Sequence, residues 1–243
     1  MLDRFLKRIE ANAEKPASGP VVIVALGDSV TQGCMELGRM DYDGVYHNVL
    51  KGMLEKRFPK TTFSVINAGV GGETAADGLK RLKRDALSHS PNLLLVAFCL
   101  NDACKGVQSL DEYSSDIREI ISRAKNETEA EIIVLTPNFM ASRKTSRIAH
   151  EHRQFANMMV DMQREGVLKT FSDTLKGIAE ELDIPVADIF AKWSTLEEKG
   201  LDTTSFLSNG LNHPDRPRQR LAAKTIMDLI GKAAAETGKY GIS

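Results

Sequence analysis

Short apolar runs alternate with helical repeats along most of the chain. The runs with the composition of buried strands occupy residues 21–26, 62–66, 93–98 and 132–135, and a fifth, interrupted by Pro185, occupies residues 184–189. Apolar residues recur at helical spacing over residues 45–54, 75–86, 113–124, 171–182 and 221–230. This alternation predicts an α/β fold, a three-layer open sheet of about five mostly parallel strands flanked by helices.

Two of the predicted helices carry start signals. Ser109 followed by Glu112 has the spacing of a capping box, in which each side chain accepts a hydrogen bond from a free backbone N–H of the first turn. Pro214 and Pro217 open the last predicted helix, because proline is tolerated in the first turn. We therefore expect helices to begin near these residues.

Length and composition predict one domain. The 243 residues are 42% hydrophobic and 27% charged, which is enough to bury a full core. We expect a single domain over residues 1–243, with an N-terminal helical extension over residues 1–20. The stretch 138–169 is too long for a simple connection and predicts a helical insertion. Its stripe of methionines around Met159 is more typical of core packing than of a binding surface.

Charge and cysteine content exclude several classes of protein. The formal net charge is −1 and no block of Lys and Arg is present, which argues against a nucleic-acid partner. Residues 1–20 lack a signal-peptide core and no run is long enough to span a bilayer, so we expect a cytoplasmic protein without a membrane partner. Cys34, Cys99 and Cys104 lack a zinc-like or redox spacing, which predicts reduced thiols, with Cys99 in the core.

The first apolar run ends abruptly at Gly27-Asp28-Ser29. Glycine permits a tight turn, and the carboxyl end of a buried strand is where α/β sheets bind ligands. Ser29 would therefore expose its hydroxyl at a functional edge. The alternative is that Asp28 or Ser29 only caps the next helix.

Two further loops follow predicted strands. Residues 67–74 are rich in glycine, which allows close approach of the backbone to a ligand, but neither a P-loop nor a G-x-G-x-x-G motif is present, so nucleotide binding is unsupported. Asn101 follows the third strand, where its amide could donate to an oxyanion. The alternative interpretation of residues 67–74 is an ordinary glycine-rich turn, and that of Asn101 is an Asx-turn.

One histidine is placed to act as a base. His213 lies in a loop just before the last predicted helix and could reach the serine turn. His150 and His152 are two residues apart in a predicted helix, which points their rings apart and disfavours a metal site. His47 and His89 are interpreted as ordinary surface or helix histidines.

Together these loops resemble the SGNH hydrolase superfamily, also called the GDSL esterase/lipase family. By this resemblance Ser29 matches the nucleophile, Gly72 before Glu73-Thr74 the oxyanion glycine, Asn101 the oxyanion asparagine, and His213 the base. Val30 stands in place of the leucine of the family name, and Cys99 in place of the glycine of G-x-N-D. The resemblance implies an SGNH/flavodoxin-like fold, an acyl-serine intermediate, and no cofactor or metal.

The last block departs from the family pattern. The family carries D-x-x-H, in which the aspartate orients the histidine, but Gly210 lies three residues before His213. The orienting group could be Asn209, a backbone carbonyl near Gly210, or an acid from elsewhere such as Asp202 or Asp188. A Ser-His dyad without any such group is also possible.

The resemblance implies a serine ester hydrolase whose partner is a small-molecule ester. We expect small acyl esters, with acetyl esters of a carbohydrate or related metabolite as the first choice. The alternatives are lipase-like or thioesterase activity on longer acyl chains, and a non-catalytic sugar- or acyl-binding pseudoenzyme. Trp193 is expected to pack under the sheet rather than to stack on a sugar.

Overall fold

A computed structural model describes residues 2–236, so the predicted domain ends at residues 1 and 243 lie outside the described residues. Its centre is a sheet of five parallel strands in the order β2-β1-β3-β4-β5. The strands are β1 (Val21–Gly27), β2 (Phe63–Gly69), β3 (Leu93–Ala97), β4 (Glu131–Leu135) and β5 (Val186–Ala187). The predicted α/β class and parallel sheet are confirmed.

The central strands end together at one edge of the sheet. Gly27, the last residue of β1, is in register with Gly69 of β2 and with Ala97 of β3. β1 and β3 are apolar along almost their whole length because helices cover both faces of a parallel sheet. The segments that follow β1, β2 and β3 therefore meet at the carboxyl edge.

The fifth strand is shorter than predicted. The apolar run spans 184–189, but only Val186 and Ala187 pair with β4. Pro185 has no N–H to donate and contributes only its carbonyl, which accepts from Val134 at 3.1 Å. Asp188 already caps the next helix, since its side chain accepts from the Ala191 N–H.

Helices fill both faces of the sheet. Within residues 2–236 they are α1 (Asp3–Glu14), α2 (Ser29–Gln32), α3 (Tyr46–Arg57), α4 (Ala75–Asp85), α5 (Leu100–Ala103), α6 (Leu110–Glu127), α7 (Arg153–Arg164), α8 (Val167–Glu181), α9 (Ile189–Glu198) and α10 (Arg216–Glu236). The connection from β1 to β2 leads towards one edge of the sheet, whereas the later connections lead towards the other edge. Because such connections are right-handed, α3 lies on one face of the sheet and α4, α6 and α8 lie on the other. Contacts of α3 with α10 and of α4 with α6 agree with these two layers. Within this described part of the chain, no helix is long and apolar enough to cross a membrane.

Helix α1 contacts the amino ends of the strands. The Phe5 N–H donates to the Glu131 carboxylate at 2.8 Å, and the Asn12 side chain accepts from the Thr62 N–H at 2.8 Å. The segment predicted as an N-terminal extension is thus attached to the edge opposite the glycine-rich loops.

The segment 138–169 is irregular up to a short 3-10 turn at His150–His152 and then forms α7 and the start of α8. Met159 and Met162 are partly buried against the core. Met159 also lines a surface groove, so the core interpretation of this stripe is incomplete.

The predicted capping box at Ser109 is wrong. Ser109 ends a 3-10 turn with φ −96° and ψ 8°, outside the extended region that an N-cap adopts. Its hydroxyl donates instead to the Gly106 carbonyl at 2.8 Å. A reciprocal capping box is present at the start of α4, between Thr74 and Asp77.

Candidate active site

The turn after β1 presents Ser29 at the first position of α2. Asp28 caps this helix, because its Oδ1 accepts from the Val30 N–H at 2.9 Å. A Cβ on Gly27 would lie 2.2 Å from Thr31 Oγ1 and 2.7 Å from the Ala97 carbonyl oxygen, so the turn requires glycine. The capping interpretation of Asp28 is correct, and Ser29 remains free to face the groove at the carboxyl edge.

His213 reaches Ser29 from the opposite end of the chain. Its Nε2 lies 3.0 Å from Ser29 Oγ. The loop before α10 holds the histidine in place, since the Ser208 N–H donates to the His213 carbonyl at 2.8 Å and Leu207 forms an antiparallel bridge with Pro214. The structure therefore brings the predicted nucleophile and base within hydrogen-bond distance.

The other ring nitrogen of His213 contacts a group that was not among the predicted candidates. Nδ1 lies 2.6 Å from the backbone carbonyl oxygen of Met35. This segment follows α2, whereas the expected carbonyl was one near Gly210. A backbone carbonyl has no side-chain signature, so nothing in the sequence could have singled out Met35.

The predicted alternatives make other contacts. Asn209 Oδ1 accepts from the N–H groups of Leu211, Asn212 and His213, each at 3.0 Å, so this residue shapes the histidine loop without touching the ring. Asp202 pairs with Arg143 at the surface. Asp188 caps α9 and bonds Thr136 Oγ1 at 3.0 Å. None of these carboxylates contacts His213 within the described residues.

Three potential oxyanion donors line the same groove as Ser29 and His213. The backbone N–H groups of Ser29 and Gly72 have no acceptor in residues 2–236. Gly72 has a positive φ of 81°, which glycine adopts at no steric cost. The Asn101 amide donates one hydrogen to the Glu73 carbonyl at 2.8 Å, which fixes its orientation and leaves the second hydrogen available.

Cys99 replaces a family glycine without backbone strain. Its φ of 168° is extended backbone that any residue adopts. The thiol is buried, as predicted, and burial raises its pKa, so it stays neutral. The substitution therefore leaves Asn101 in a usable position.

Arg81 of α4 ties two of the site loops together, and sequence analysis missed it. Its guanidinium donates to the Gly27 carbonyl at 3.0 Å, to the Ala68 carbonyl at 2.8 Å and to the Glu73 carboxylate. Gly27 precedes the nucleophile turn, and Glu73 follows Gly72. The buried arginine thus joins the turn of Ser29 to the loop of Gly72.

Burial controls the charges around Ser29. It raises the pKa of Asp28 to about 7, with a further increase from nearby Asp102, whose own pKa is raised to about 6. It lowers the pKa of His213, while the Met35 carbonyl opposes and His152 adds to this effect. Neutral imidazole is the form that can accept a proton from a serine hydroxyl, so burial favours the form of His213 that a base requires.

His47 and Trp193, which the sequence analysis singled out, are both buried. His47 lies on α3, in agreement with the helix part of its interpretation, but it is not at the surface: its Nε2 lies 3.0 Å from the Thr31 carbonyl, and burial lowers its pKa to about 4. Trp193 is fully buried between the rings of Phe139 and Phe206, as expected for a core residue. It therefore offers no stacking surface in the groove.

The groove beside Ser29 has a volume of about 350 Å³ and is mostly apolar. Its apolar lining consists of Met35, Leu37, Met40, Phe155, Met159 and Leu211. The charged side chains Glu36 and Arg39 pair with each other at 2.7 Å near its mouth. Among the described residues, no cluster of His, Cys, Asp and Glu could hold a metal ion.

Comparison with known proteins defines the class. The profile of the GDSL-like lipase/acylhydrolase family matches residues 25–220. The chain therefore belongs to this family and is a serine carboxylic ester hydrolase. This confirms the resemblance inferred from the four sequence blocks.

Two relatives illustrate the range of the family. The chain is 22% identical over 178 residues to an acetylxylan esterase of Geobacillus stearothermophilus, covering 66% of this chain and 78% of the relative. It is 26% identical over 207 residues to thioesterase 1/protease 1/lysophospholipase L1 of Escherichia coli, covering 85% and 82%. The crystal structure of the acetylxylan esterase matches with a TM-score of 0.66 at 21% identity, over 86% of this chain and 94% of that one.

Proposed function

We propose that the chain hydrolyses small carboxylic esters through an acyl-serine intermediate, with Ser29 as nucleophile and His213 as base. The observation that carries this proposal is the 3.0 Å contact between His213 Nε2 and Ser29 Oγ. This contact lies in the same groove as the backbone N–H groups of Ser29 and Gly72, which have no acceptor in the described residues, and the Asn101 amide, which the Glu73 carbonyl orients. A sugar- or acyl-binding protein without catalysis would have no need for this combination.

The reaction has two halves. Ser29 Oγ attacks the ester carbonyl while His213 Nε2 takes its proton, and the proton is then given to the departing alcohol. In the second half, His213 Nε2 takes a proton from water as the water attacks the acyl-serine, and this proton returns to Ser29 Oγ when the carboxylic acid leaves. Proton transfer by a positioned histidine contributes about 10²–10⁴-fold, and each oxyanion donor about 3 kcal/mol.

Acetyl esters of a carbohydrate remain the first candidate substrate. The acetylxylan esterase relative supports this choice, and its solved variants include catalytic mutants at a serine, a histidine and an aspartate. Ser29 and His213 are the counterparts we propose for the first two. The third has no counterpart in contact with the His213 ring within residues 2–236.

Esters of longer acyl chains are a second candidate, favoured by the lining of the groove. Met35, Phe155 and Met159 present apolar surface next to Ser29, and methionine adapts to flexible chains. A buried methylene contributes about 0.8 kcal/mol, or roughly fourfold in binding. The thioesterase/lysophospholipase relative also supports this candidate.

Turnover of nitrophenyl esters from acetate to decanoate, beside a panel of acetylated sugars, tests both candidates. Ser29→Ala should lower turnover at least about 10³-fold, while Ser88→Ala, at an exposed serine, should have no effect. A fall in kcat/KM beyond acetate supports the acetyl candidate. A rise with chain length that Phe155→Ala abolishes, with acetate turnover unchanged, supports the longer chains. Wild-type turnover by Ser29→Ala would refute the acyl-serine proposal.

A further inference from the structure

The segment that supplies the Met35 carbonyl is a narrow hairpin. Residues 33–41, here called the Met35 hairpin, follow α2, and Cys34 bridges Met40 in antiparallel fashion. The Asp41 N–H donates to the Gly33 carbonyl at 2.8 Å, and the Met35 N–H donates to the Arg39 carbonyl at 2.9 Å. The Arg39 N–H also donates to the Glu36 carbonyl at 3.0 Å, so the hairpin holds the backbone on both sides of the Met35–Glu36 peptide group that carries the Met35 carbonyl.

An ion pair fastens the base of this hairpin to the histidine loop. Arg216, the first residue of α10, donates two hydrogen bonds to the Asp41 carboxylate, one of them at 2.9 Å. Asp41 Oδ1 also accepts from the Gly44 N–H at 2.9 Å, and a Cβ on Gly44 would lie 2.3 Å from the other carboxylate oxygen. Arg216 is three residues after His213. One ion pair therefore links both partners of the Met35–His213 contact.

We propose that the Met35 carbonyl takes the place of the triad carboxylate and that Asp41 and Arg216 are positioning residues for this contact. The inference rests on the proposed function. The carbonyl can only accept, so His213 Nδ1 must carry the hydrogen and Nε2 must present its lone pair to the Ser29 hydroxyl. This is the tautomer that a base requires.

The replacement changes what the third group can do. A carboxylate both fixes the tautomer and stabilises the imidazolium by its charge, whereas a carbonyl fixes the tautomer and offers only a dipole. The position of that dipole then matters more. A displacement of about 1 Å in a catalytic constellation can cost about 10²-fold in rate. The hairpin and its ion pair prevent such a displacement.

The first test compares two matched aspartate variants. Asp41→Asn removes the charge that holds Arg216 but keeps an acceptor for the Gly44 N–H. Asp202→Asn makes the same change in the exposed pair with Arg143, which makes no hydrogen bond to Met35 or His213 in the described chain. With nitrophenyl acetate, Asp41→Asn should lower kcat about 10²-fold at nearly constant KM, because positioning affects the chemical step. Asp202→Asn should match the wild type.

The second test weakens the Met35 carbonyl alone. Incorporating the α-hydroxy analogue of glutamate at position 36 converts the Met35–Glu36 peptide bond to an ester, whose carbonyl is a weaker acceptor. The Glu36 N–H that is lost donates to no backbone carbonyl in the described chain and contacts only the carboxylate of its own side chain. The same change at Gly38 alters the Leu37 carbonyl, which accepts no hydrogen bond there, and is the control.

The ester at position 36 should lower kcat at least about tenfold, since complete loss of the correct tautomer costs about 10⁴-fold. The ester at position 38 should not. Because every side chain is kept, the ester at position 36 still tests the role of the Met35 carbonyl if Asp41→Asn fails to fold. Wild-type kcat in the position-36 ester would overturn the inference. If Ser29→Ala is inactive in the same assay, only the inference fails; if Ser29→Ala is active, the proposed function fails.

Discussion

Replacement of Arg81 by methionine tests how the site loops are held. Methionine retains the apolar part of the side chain but removes the guanidinium. The two backbone carbonyls, of Gly27 and Ala68, then lose their arginine partner, and the Glu73 carboxylate loses its closest cation. Arg81 is only 7% exposed, so water cannot readily replace these contacts.

The magnitude follows from burial and charge. Removing one partner of a buried ionic contact costs about 3–5 kcal/mol, because the remaining groups stay buried without compensation. The Glu73 side chain is 23% exposed, which favours the lower half of this range. For a domain of this size each kcal/mol lowers Tm by about 2–4 °C, so we expect a fall of about 6–16 °C. Turnover should fall as well, because the Ser29 turn and the Gly72 loop lose their link.

Thermal and urea unfolding of Arg81→Met and Arg118→Met measure this effect. Arg118 also makes a bidentate pair, with Glu181, but at the surface, where solvent screens the charges. Its replacement should leave Tm nearly unchanged. Arg81→Lys should not restore stability, because a single ammonium cannot match the three directions of the fork. Equal shifts for the Arg81 and Arg118 variants would refute the reasoning.

Three further predictions concern the chemistry. Asn101→Ala should lower kcat about 10²–10³-fold with little change in KM, because the Asn101 amide donates to charge that develops in the transition state. Stopped-flow kinetics that show a raised KM at unchanged kcat would contradict the oxyanion role. The midpoint of the acid limb of kcat/KM should lie below pH 6.5, because burial and His152 lower the pKa of His213. The opposite charges of the paired Glu36 and Arg39 at the groove mouth nearly cancel in their effect on this pKa. A midpoint above 6.5 in a pH-rate profile would contradict this prediction. Asp28→Asn should raise Tm at pH 8 more than at pH 5. The pKa of Asp28 in the folded protein is about 7 and lies above the ordinary 3.8, so the wild type loses stability as pH rises from 3.8 to about 7, by at most about 4 kcal/mol. Equal changes in Tm at both pH values would count against this prediction.

Strands β1, β3 and β4 could be predicted because burial on both faces leaves an unbroken apolar run in the sequence. The edge strand β2 is mostly half-buried and continues to Gly69, three residues beyond its predicted end at residue 66. The ends of β5 could not be predicted, since the effect of Pro185 depends on which N–H groups the neighbouring strand needs. The capping box at Ser109 failed for a related reason. A 3-10 turn precedes α6 and takes Ser109 out of the extended conformation, which the residue spacing does not reveal.

The candidate residues Ser29 and His213, which the structure brings into contact, could be recognised from their sequence blocks, but the groups that hold them could not. His213 and Met35 are separated by 178 residues, and the contact uses a backbone atom. Arg81 lies on a polar helix where an arginine usually faces water, and only the fold places it under Gly27 and Ala68. Such residues are determined by tertiary contacts and leave no local pattern.

The most direct test of the account is to locate the covalent intermediate. The protein is treated with a serine-directed organophosphate, and intact mass and peptide mapping by mass spectrometry are followed alongside the loss of esterase activity. We expect one adduct, on the peptide that contains Ser29, in proportion to the activity lost, and no adduct on Ser29→Ala. Inactivation with the label on another residue, or full activity in the Ser29→Ala variant, would contradict the assignment of Ser29 as the nucleophile.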